Sequence, residues 1–166
     1  MRNFIHIITI CFLLTLFYPG NVFAADSERE ELYQRRMVLY KKIESVTFIP
    51  WYYLAAIDQY ERNIRSVRKD LPKPTGLTGI YIPAEKWCGL LNPDQEDTNP
   101  LSIKIFGGIG QDGNGDGKAE RTNDEDVLYT MANYLLNFGT DEVHIKIGVW
   151  EYYKRDKTVG IIVSFA

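Results

Sequence analysis

The residue of this sequence best suited to acid–base chemistry is Glu61, because of its place in a predicted helix. Leu54, Ile57 and Ile64 recur at helical spacing and define an apolar stripe. Glu61 lies on the same stripe, where desolvation raises the pKa of a carboxyl group. A carboxyl group that stays protonated near neutral pH can act as a general acid. The alternative is a structural glutamate that pairs with Arg65 or reaches a surface edge.

An acidic, glycine-rich loop is the second candidate site. Four oxygen-bearing side chains follow the order of positions 1, 3, 5 and 9 in an EF-hand loop: Asp112, Asn114, Asp116 and Glu120. Position 12 holds Asn123 in place of the usual bidentate glutamate, and Asp124 or Asp126 could substitute for it. The loop predicts either a weak structural Ca²⁺ site or an Asx-rich turn whose glycines adopt positive φ. No cofactor is expected to be required.

Two N-terminal helices are expected to position Glu61. A capping box at Ser27 and Glu30 predicts the start of a helix that ends near Thr47. A second helix is predicted from Pro50, which suits the first helical position, to about Val67. The second helix is rich in aromatic residues, which either stack on sugar rings or pack in the core.

The second half of the chain is expected to be less regular. Residues 73–111 are interrupted by glycine and proline and predict a long loop. A helix is predicted over Asp124–Phe138 with Gly139 as its stop, and another after Thr140. The tail Thr158–Phe165 fits either a strand or a buried final helix, which periodicity alone does not decide.

The N-terminus has the three-part layout of a signal peptide. Arg2 supplies the positive charge, Phe4–Phe17 is largely apolar, and Val22–Ala24 carries small residues at the −3 and −1 positions. Cleavage after Ala24 would leave residues 25–166 as one domain. The alternative is a retained anchor, but the apolar run is shorter than the roughly 20 residues of a spanning helix.

Charge and cysteine content limit the possible partners. The 166 residues include 19 Lys and Arg against 22 Asp and Glu, a formal net charge of −3. This mild acidity argues against nucleic acid as a partner. Cys88 is the one cysteine that follows the leader, so no intramolecular disulfide is expected. No second apolar run reaches spanning length, so we expect no membrane association after cleavage of the leader.

Several segments resemble lysozyme-like lytic transglycosylases in chain order. Ala56–Glu61 resembles the Ala-Ile-x-x-x-Glu helix that carries their catalytic acid. The glycine-rich loop, the Ala132–Leu135 stretch and the Val149–Tyr152 segment follow, as in that superfamily. The resemblance implies a mainly α, lysozyme-like fold with a long irregular insertion, in which Glu61 protonates the glycosidic oxygen. It also implies four substrate-binding residues: Tyr60, Tyr81, Tyr152 and Tyr153.

The chain departs from that pattern at two places. Gly79–Pro83 lacks the glutamine of the family's Gly-x-x-Gln-Phe-x-Pro motif. Tyr153 stands where the family has an asparagine that lines the cleft beside a tyrosine. The helix of the acid thus matches that superfamily, while the polar residues that support the acid there do not align.

A second resemblance is to sporulation proteins. Ile49–Ile64, Phe106–Gly110 and Tyr153–Ile162 are similar to the N-terminal region of LytH-type L-Ala–D-Glu endopeptidases. In those proteins, the region precedes a zinc peptidase domain that trims the peptides of the spore cortex. This chain has only His6 and His144, so it does not contain a His/Asp/His zinc set. Peptidase activity is therefore not expected of this chain.

Two functions follow from these resemblances. The first is extracytoplasmic remodelling of peptidoglycan, in the cell wall or spore cortex, by glycan-strand cleavage with Glu61 as general acid and base. The second is a non-catalytic wall-binding N-terminal domain of a truncated LytH-type endopeptidase. The expected partners are peptidoglycan glycan strands and a cell-wall peptidase.

Overall fold

The computed structural model describes residues 20–166, with side chains from residue 26 onward. This part of the chain forms seven helices and no strand, which confirms the expected mainly α fold. In chain order, the helices are α1 Gly20–Thr47, α2 Trp51–Val67, α3 Ala84–Cys88, α4 Pro100–Ile105, α5 Asp124–Leu136, α6 Glu142–Tyr153 and α7 Asp156–Phe165. Most of the predicted signal peptide, residues 1–19, lies outside the described residues.

The chain divides into two compact units, Met1–Arg35 and Arg36–Ala166. The described part of the first unit is the start of α1. The predicted capping box is wrong, because α1 begins at Gly20 and both Ser27 and Glu30 therefore lie inside the helix. None of the helices in the described part of the chain is long and apolar enough to span a membrane.

The core of the second unit is built around α2. Leu54 and Ile57 are fully buried, as the apolar stripe predicts. α2 packs against α5 and α7, and α6 packs against both of those helices. Their main core side chains are Leu128, Met131, Leu135, Ile145, Val149 and Ile162. The stripe therefore turns Glu61 toward packed helices, where a carboxyl group loses most of its hydration.

The helix boundaries follow the sequence closely, with small shifts. Pro50 is the N-cap of α2 and not its first residue, and α2 ends at Val67 as predicted. α5 begins at Asp124 but ends at Leu136, two residues before the predicted end. Gly139 follows with a φ of 136°, a conformation that an L-residue rarely adopts, so a helix stop there needs glycine.

The long irregular segment contains two short helices that the sequence does not predict. α3 follows Pro83, and α4 begins at Pro100 behind an N-cap asparagine, Asn99, which accepts hydrogen bonds from two backbone N–H groups. The tail is helical over Asp156–Phe165. Ile162 of this helix is fully buried, so the alternative of a buried final helix is correct.

Candidate functional site

Glu61 is the centre of the candidate site and is only 6% exposed. Burial raises its pKa from 4.5 to about 7, because the ionised form loses its hydration. The hydroxyl of Tyr153 donates to Oε1 at 2.5 Å, which favours the ionised form and limits the rise of the pKa. No described residue donates a hydrogen bond to Oε2. Near neutral pH, the group can therefore both donate a proton and take one back.

The ion pair between Glu61 and Arg65, which belongs to the alternative of a structural glutamate, does not form. Arg65 is 6% exposed, and its guanidinium donates to two backbone carbonyls, from Nε to Pro72 O at 2.7 Å and from Nη1 to Gly79 O at 2.8 Å. The positive charge of Arg65 still lowers the pKa of Glu61, less strongly than the Tyr153 hydrogen bond does. Glu61 therefore keeps a raised pKa beside a buried cation.

A cluster of tyrosine rings surrounds the acid. Tyr153 contacts the rings of Tyr60 and Tyr152 edge-on, with centroids 5.3 and 4.8 Å apart. Tyr134 contacts Tyr152 in the same way at 5.3 Å. Burial, and next the charge of Glu61, hold the pKa of Tyr153 well above its usual value. The Tyr153 hydroxyl therefore keeps its proton and remains a donor to Glu61.

The structure brings three of the four predicted substrate-binding tyrosines around Glu61. Tyr60 and Tyr152 are buried, at 8% exposure each, and the Tyr60 hydroxyl shares a hydrogen bond with Thr158. Neither ring presents its face to solvent, so both shape the surroundings of Glu61. Tyr81 lies elsewhere, half-buried in a cleft, with its ring 5.5 Å from the Arg65 guanidinium. Contact of these side chains with a sugar stays a prediction.

Asp58 is a second buried carboxylate on α2, and the sequence reasoning missed it. It is 2% exposed and accepts from Tyr40 Oη at 2.6 Å and from Thr78 Oγ1 at 2.9 Å. Arg62 Nε donates to it at 2.9 Å, and the backbone N–H of Gly79 donates as well. Asp58 thus joins α1, α2 and the segment that leads to Tyr81. The Arg62 at i+4 was the available sequence signal.

The acidic loop takes the form of Asx turns. Asp112 accepts from the backbone N–H groups of Gly115 and Gly117 at 2.7 and 2.8 Å, and these glycines have φ of 82° and 89°. Asn114 Oδ1 accepts from the Asp116 N–H at 2.8 Å. The backbone therefore already uses the side-chain oxygens of Asp112 and Asn114, which agrees with the Asx-turn alternative.

Asp126 organises the same loop from the first turn of α5. It is fully buried and accepts from the N–H groups of Gly113, Asn114 and Glu120 at 2.8, 3.2 and 2.8 Å. Burial raises its pKa above the usual value. The sequence suggested Asp126 as a substitute calcium ligand, whereas the structure uses it to hold backbone donors.

Among the described residues, no group of three or more His, Cys, Asp or Glu side chains is arranged to hold a metal ion. His144 contacts Asp141 at the exposed start of α6, at 2.5 Å between Nδ1 and Oδ2. Cys88 is a buried free thiol. The calcium site at Asp112, Asn114, Asp116 and Glu120 stays a prediction, and the chemistry of Glu61 does not depend on it.

A protein with a known activity has a similar sequence. The sequence is 63% identical over 131 residues to the L-Ala–D-Glu endopeptidase of Bacillus subtilis strain 168. The chain resembles LytH-type proteins. The match covers 79% of this chain but 40% of the endopeptidase, so the chain spans less than half the length of that relative.

The other comparisons add no further relative. No family model matches the sequence, and no solved structure matches the fold. L-Ala–D-Glu endopeptidase is the activity of the Bacillus subtilis protein.

Proposed function

We propose that this chain acts on peptidoglycan outside the cytoplasm, with Glu61 as the proton donor in cleavage of the glycan strand. The relative is named for a bond between L-Ala and D-Glu, which is a bond of peptidoglycan peptides. The observation that carries the proposal is the buried Glu61, with a pKa of about 7 and a single hydroxyl donor. A lysozyme-like arrangement of the helices and export through the N-terminal leader belong to the same proposal.

The proposed reaction uses one carboxyl group twice. Protonated Glu61 gives its proton to the glycosidic oxygen, and the bond to the anomeric carbon breaks. The resulting carboxylate takes the proton of the sugar's own 6-hydroxyl, whose oxygen attacks the anomeric carbon and closes a 1,6-anhydro ring. No water is consumed, and Glu61 ends protonated. The Tyr153 hydroxyl, 2.5 Å from Oε1, stabilises the carboxylate formed in between.

The free oxygen of Glu61 determines where the substrate must bind. Oε1 accepts from Tyr153, and none of the described residues contacts Oε2 with a hydrogen bond. The glycosidic oxygen is therefore expected at Oε2. Because Glu61 is 6% exposed, a bound glycan would have to displace side chains that cover it. A general acid must come within hydrogen-bond distance of the atom that it protonates.

The low exposure of Glu61 also favours a second candidate function, which is binding to the wall without catalysis. Tyr153 stands in the sequence where the lytic transglycosylases that it resembles are expected to have the cleft asparagine, and its hydroxyl donates to the acid. In this alternative, Glu61 and its tyrosines are structural. The chain would then hold a cell-wall peptidase on its substrate.

One assay separates the two functions. Purified protein is incubated with peptidoglycan sacculi, and 1,6-anhydro-muropeptides are measured by mass spectrometry. We expect products from the wild type and from Glu142→Gln, an exposed control on α6. Glu61→Gln should abolish them, because an amide does not donate the required proton. Absence of products with sacculus binding retained would refute catalysis and support the wall-binding function. Absence of both would refute both functions.

A further inference from the structure

A cleft of about 210 Å³ is lined by Arg65, which lies one helical turn after Glu61 on α2. It is formed by the end of α2, the segment that follows it and the start of α5. Three basic side chains line it: Arg65, Lys73 and Arg121. Tyr81, one of the predicted substrate-binding residues, lies in the same cleft. The cleft therefore combines positive charge with an aromatic ring.

Arg65 is the unusual member of this cleft because it is a buried cation that interacts with the charge of Glu61 without forming an ion pair. Its exposed fraction is 6%, yet it forms no ion pair with any described residue. Two donors reach the backbone carbonyls of Pro72 and Gly79, while Nη2 donates to none of the described residues. Burying a charge is unfavourable unless an opposite charge or a full set of hydrogen bonds compensates for it. An anion in the cleft would supply both.

The other charged residues that line the cleft leave it positive. Lys73 Nζ donates to the carbonyls of Arg65 and Ser66 at 3.0 Å, so its charge also has no carboxylate partner. Arg121 pairs with Glu96 at 2.8 Å. The carboxylate of the cleft is Asp124, and both of its oxygens accept from backbone N–H groups. Two unpaired cations therefore face one carboxylate that is already occupied.

We propose that this cleft binds a carboxylate of the acidic peptides that peptidoglycan carries, with Arg65 as its main contact. This inference rests on the proposed function. A guanidinium matches the two oxygens of a carboxylate, and Tyr81 packs 5.5 Å from its centre. Glu61 and Arg65 are separated by one turn of α2, so a peptide attached to a glycan at Glu61 would lie within reach of Arg65.

Binding of the dipeptide L-Ala–D-Glu to the purified protein tests the proposal. Chemical shifts of backbone amides are followed by NMR during titration, and the dipeptide with both carboxylates amidated serves as the matched ligand. We expect the shifts to centre on Arg65 and Tyr81. The amidated dipeptide should bind at least about tenfold more weakly, because it lacks the charge-assisted hydrogen bonds. Equal binding of the two ligands would overturn the proposal.

Variants of the cleft residues test where the dipeptide binds, and circular dichroism shows whether a loss of binding reflects unfolding. Arg65→Lys keeps the charge but loses the planar guanidinium, and Arg121→Gln removes a charge at the rim of the cleft. Each should weaken dipeptide binding several-fold while the helical circular dichroism is unchanged. Arg68→Gln is the control, since Arg68 is exposed, pairs with Asp70 and does not line the cleft. Unchanged binding in both cleft variants would overturn the assignment.

Inorganic phosphate distinguishes the source of the anion. If phosphate binds as tightly as the dipeptide, the cleft recognises anions in general and the peptide proposal is overturned. Glu61→Gln separates this proposal from the proposed catalysis, because the variant should keep dipeptide binding. Loss of anhydro products with dipeptide binding intact supports both proposals. Products without dipeptide binding would leave catalysis standing and refute the cleft.

Discussion

Two buried carboxylates on the same helix, Asp58 and Glu61, differ in the number and charge of their hydrogen-bond donors. Asp58 lies three residues before Glu61 on α2, and both are more than nine-tenths buried. Asp58 accepts hydrogen bonds from four groups, one of which belongs to the cation of Arg62. Glu61 accepts one hydrogen bond, from the neutral hydroxyl of Tyr153. Burial alone therefore does not decide what a carboxylate does.

The number and charge of the hydrogen-bond donors decide the role of each buried carboxylate. Four donors compensate the Asp58 side chain for the water that burial removes, so it can tie segments together. A single neutral donor cannot replace the hydration of Glu61, and its pKa rises to about 7. Asp58 is thus suited to holding structure, and Glu61 to exchanging a proton. Substitutions that change donors or charge test this difference.

The largest effect is expected for Asp58→Ala. The substitution leaves the hydroxyls of Tyr40 and Thr78 and the Nε–H of Arg62 without their acceptor. Removing one partner from a buried charged network costs about 3–5 kcal/mol of folding free energy. Urea unfolding measures the loss. Asp58→Asn keeps the shape and one acceptor oxygen, so it should cost clearly less. Equal losses in the two variants would contradict this expectation and show that the charge of Asp58, and not the acceptor oxygen that Asn keeps, accounts for the whole effect.

The next effect is the pH dependence of stability that comes from Glu61. Its pKa is higher in the folded state, about 7, than the ordinary value of 4.5. Between these values, the folded protein binds a proton that the unfolded chain releases. Stability therefore falls as pH rises from about 4.5 to about 7, by up to about 3 kcal/mol. A carboxyl group whose pKa is lowered by folding would show the opposite trend, with stability that rises as pH rises.

Glu61→Gln isolates this contribution. The amide does not ionise, so the fall in stability between pH 4.5 and 7 should disappear in this variant. Above pH 7, the variant should then be more stable than the wild type. Urea unfolding at several pH values measures both effects, with the exposed Glu142→Gln as control. A wild type and a variant with parallel pH profiles would contradict the raised pKa.

A smaller effect is expected for Tyr153→Phe, which removes the hydroxyl donor of Glu61. The hydrogen bond favours the carboxylate, so the pKa of Glu61 should rise above 7 in the variant. The loss of stability should be about 1 kcal/mol. Tyr60→Phe is the matched control, because the Tyr60 hydroxyl contacts Thr158 and not Glu61. A titration of the Glu61 carboxyl carbon by NMR should show a shift for Tyr153→Phe only.

The sequence predicted the acid better than it predicted the surroundings of the acid. The apolar stripe of α2 placed Glu61 on the buried face, because helical spacing fixes which side chains share a face. Tyr153 lies ninety-two residues after Glu61 in the sequence, at the end of α6, and no local pattern links the two residues. Its contact depends on how α6 packs near α2. That packing is a tertiary property.

Asp58 is a second residue whose partners in the folded chain the sequence does not predict. As an isolated acid in a helix, it is compatible with a solvated face, and only the folded chain brings Thr78 and Gly79 to it. The short helices α3 and α4 were missed because glycine and proline dominate the local signal there. The sequence does not decide whether the final segment is a strand or a helix, because a short apolar run fits both until its neighbours are known.

The smallest effect is expected at Asp112, a carboxylate that is satisfied like Asp58 but is more exposed. Asp112→Ala removes an acceptor from the N–H groups of Gly115 and Gly117, which water can then replace. The cost should be about 1 kcal/mol, well below that of Asp58→Ala. The same variant tests the predicted calcium site. If Ca²⁺ raises the melting temperature of the wild type but not of the variant, the loop binds the ion. A rise in neither would refute the calcium prediction, and a loss comparable to that of Asp58→Ala would show that burial is not what separates the two carboxylates.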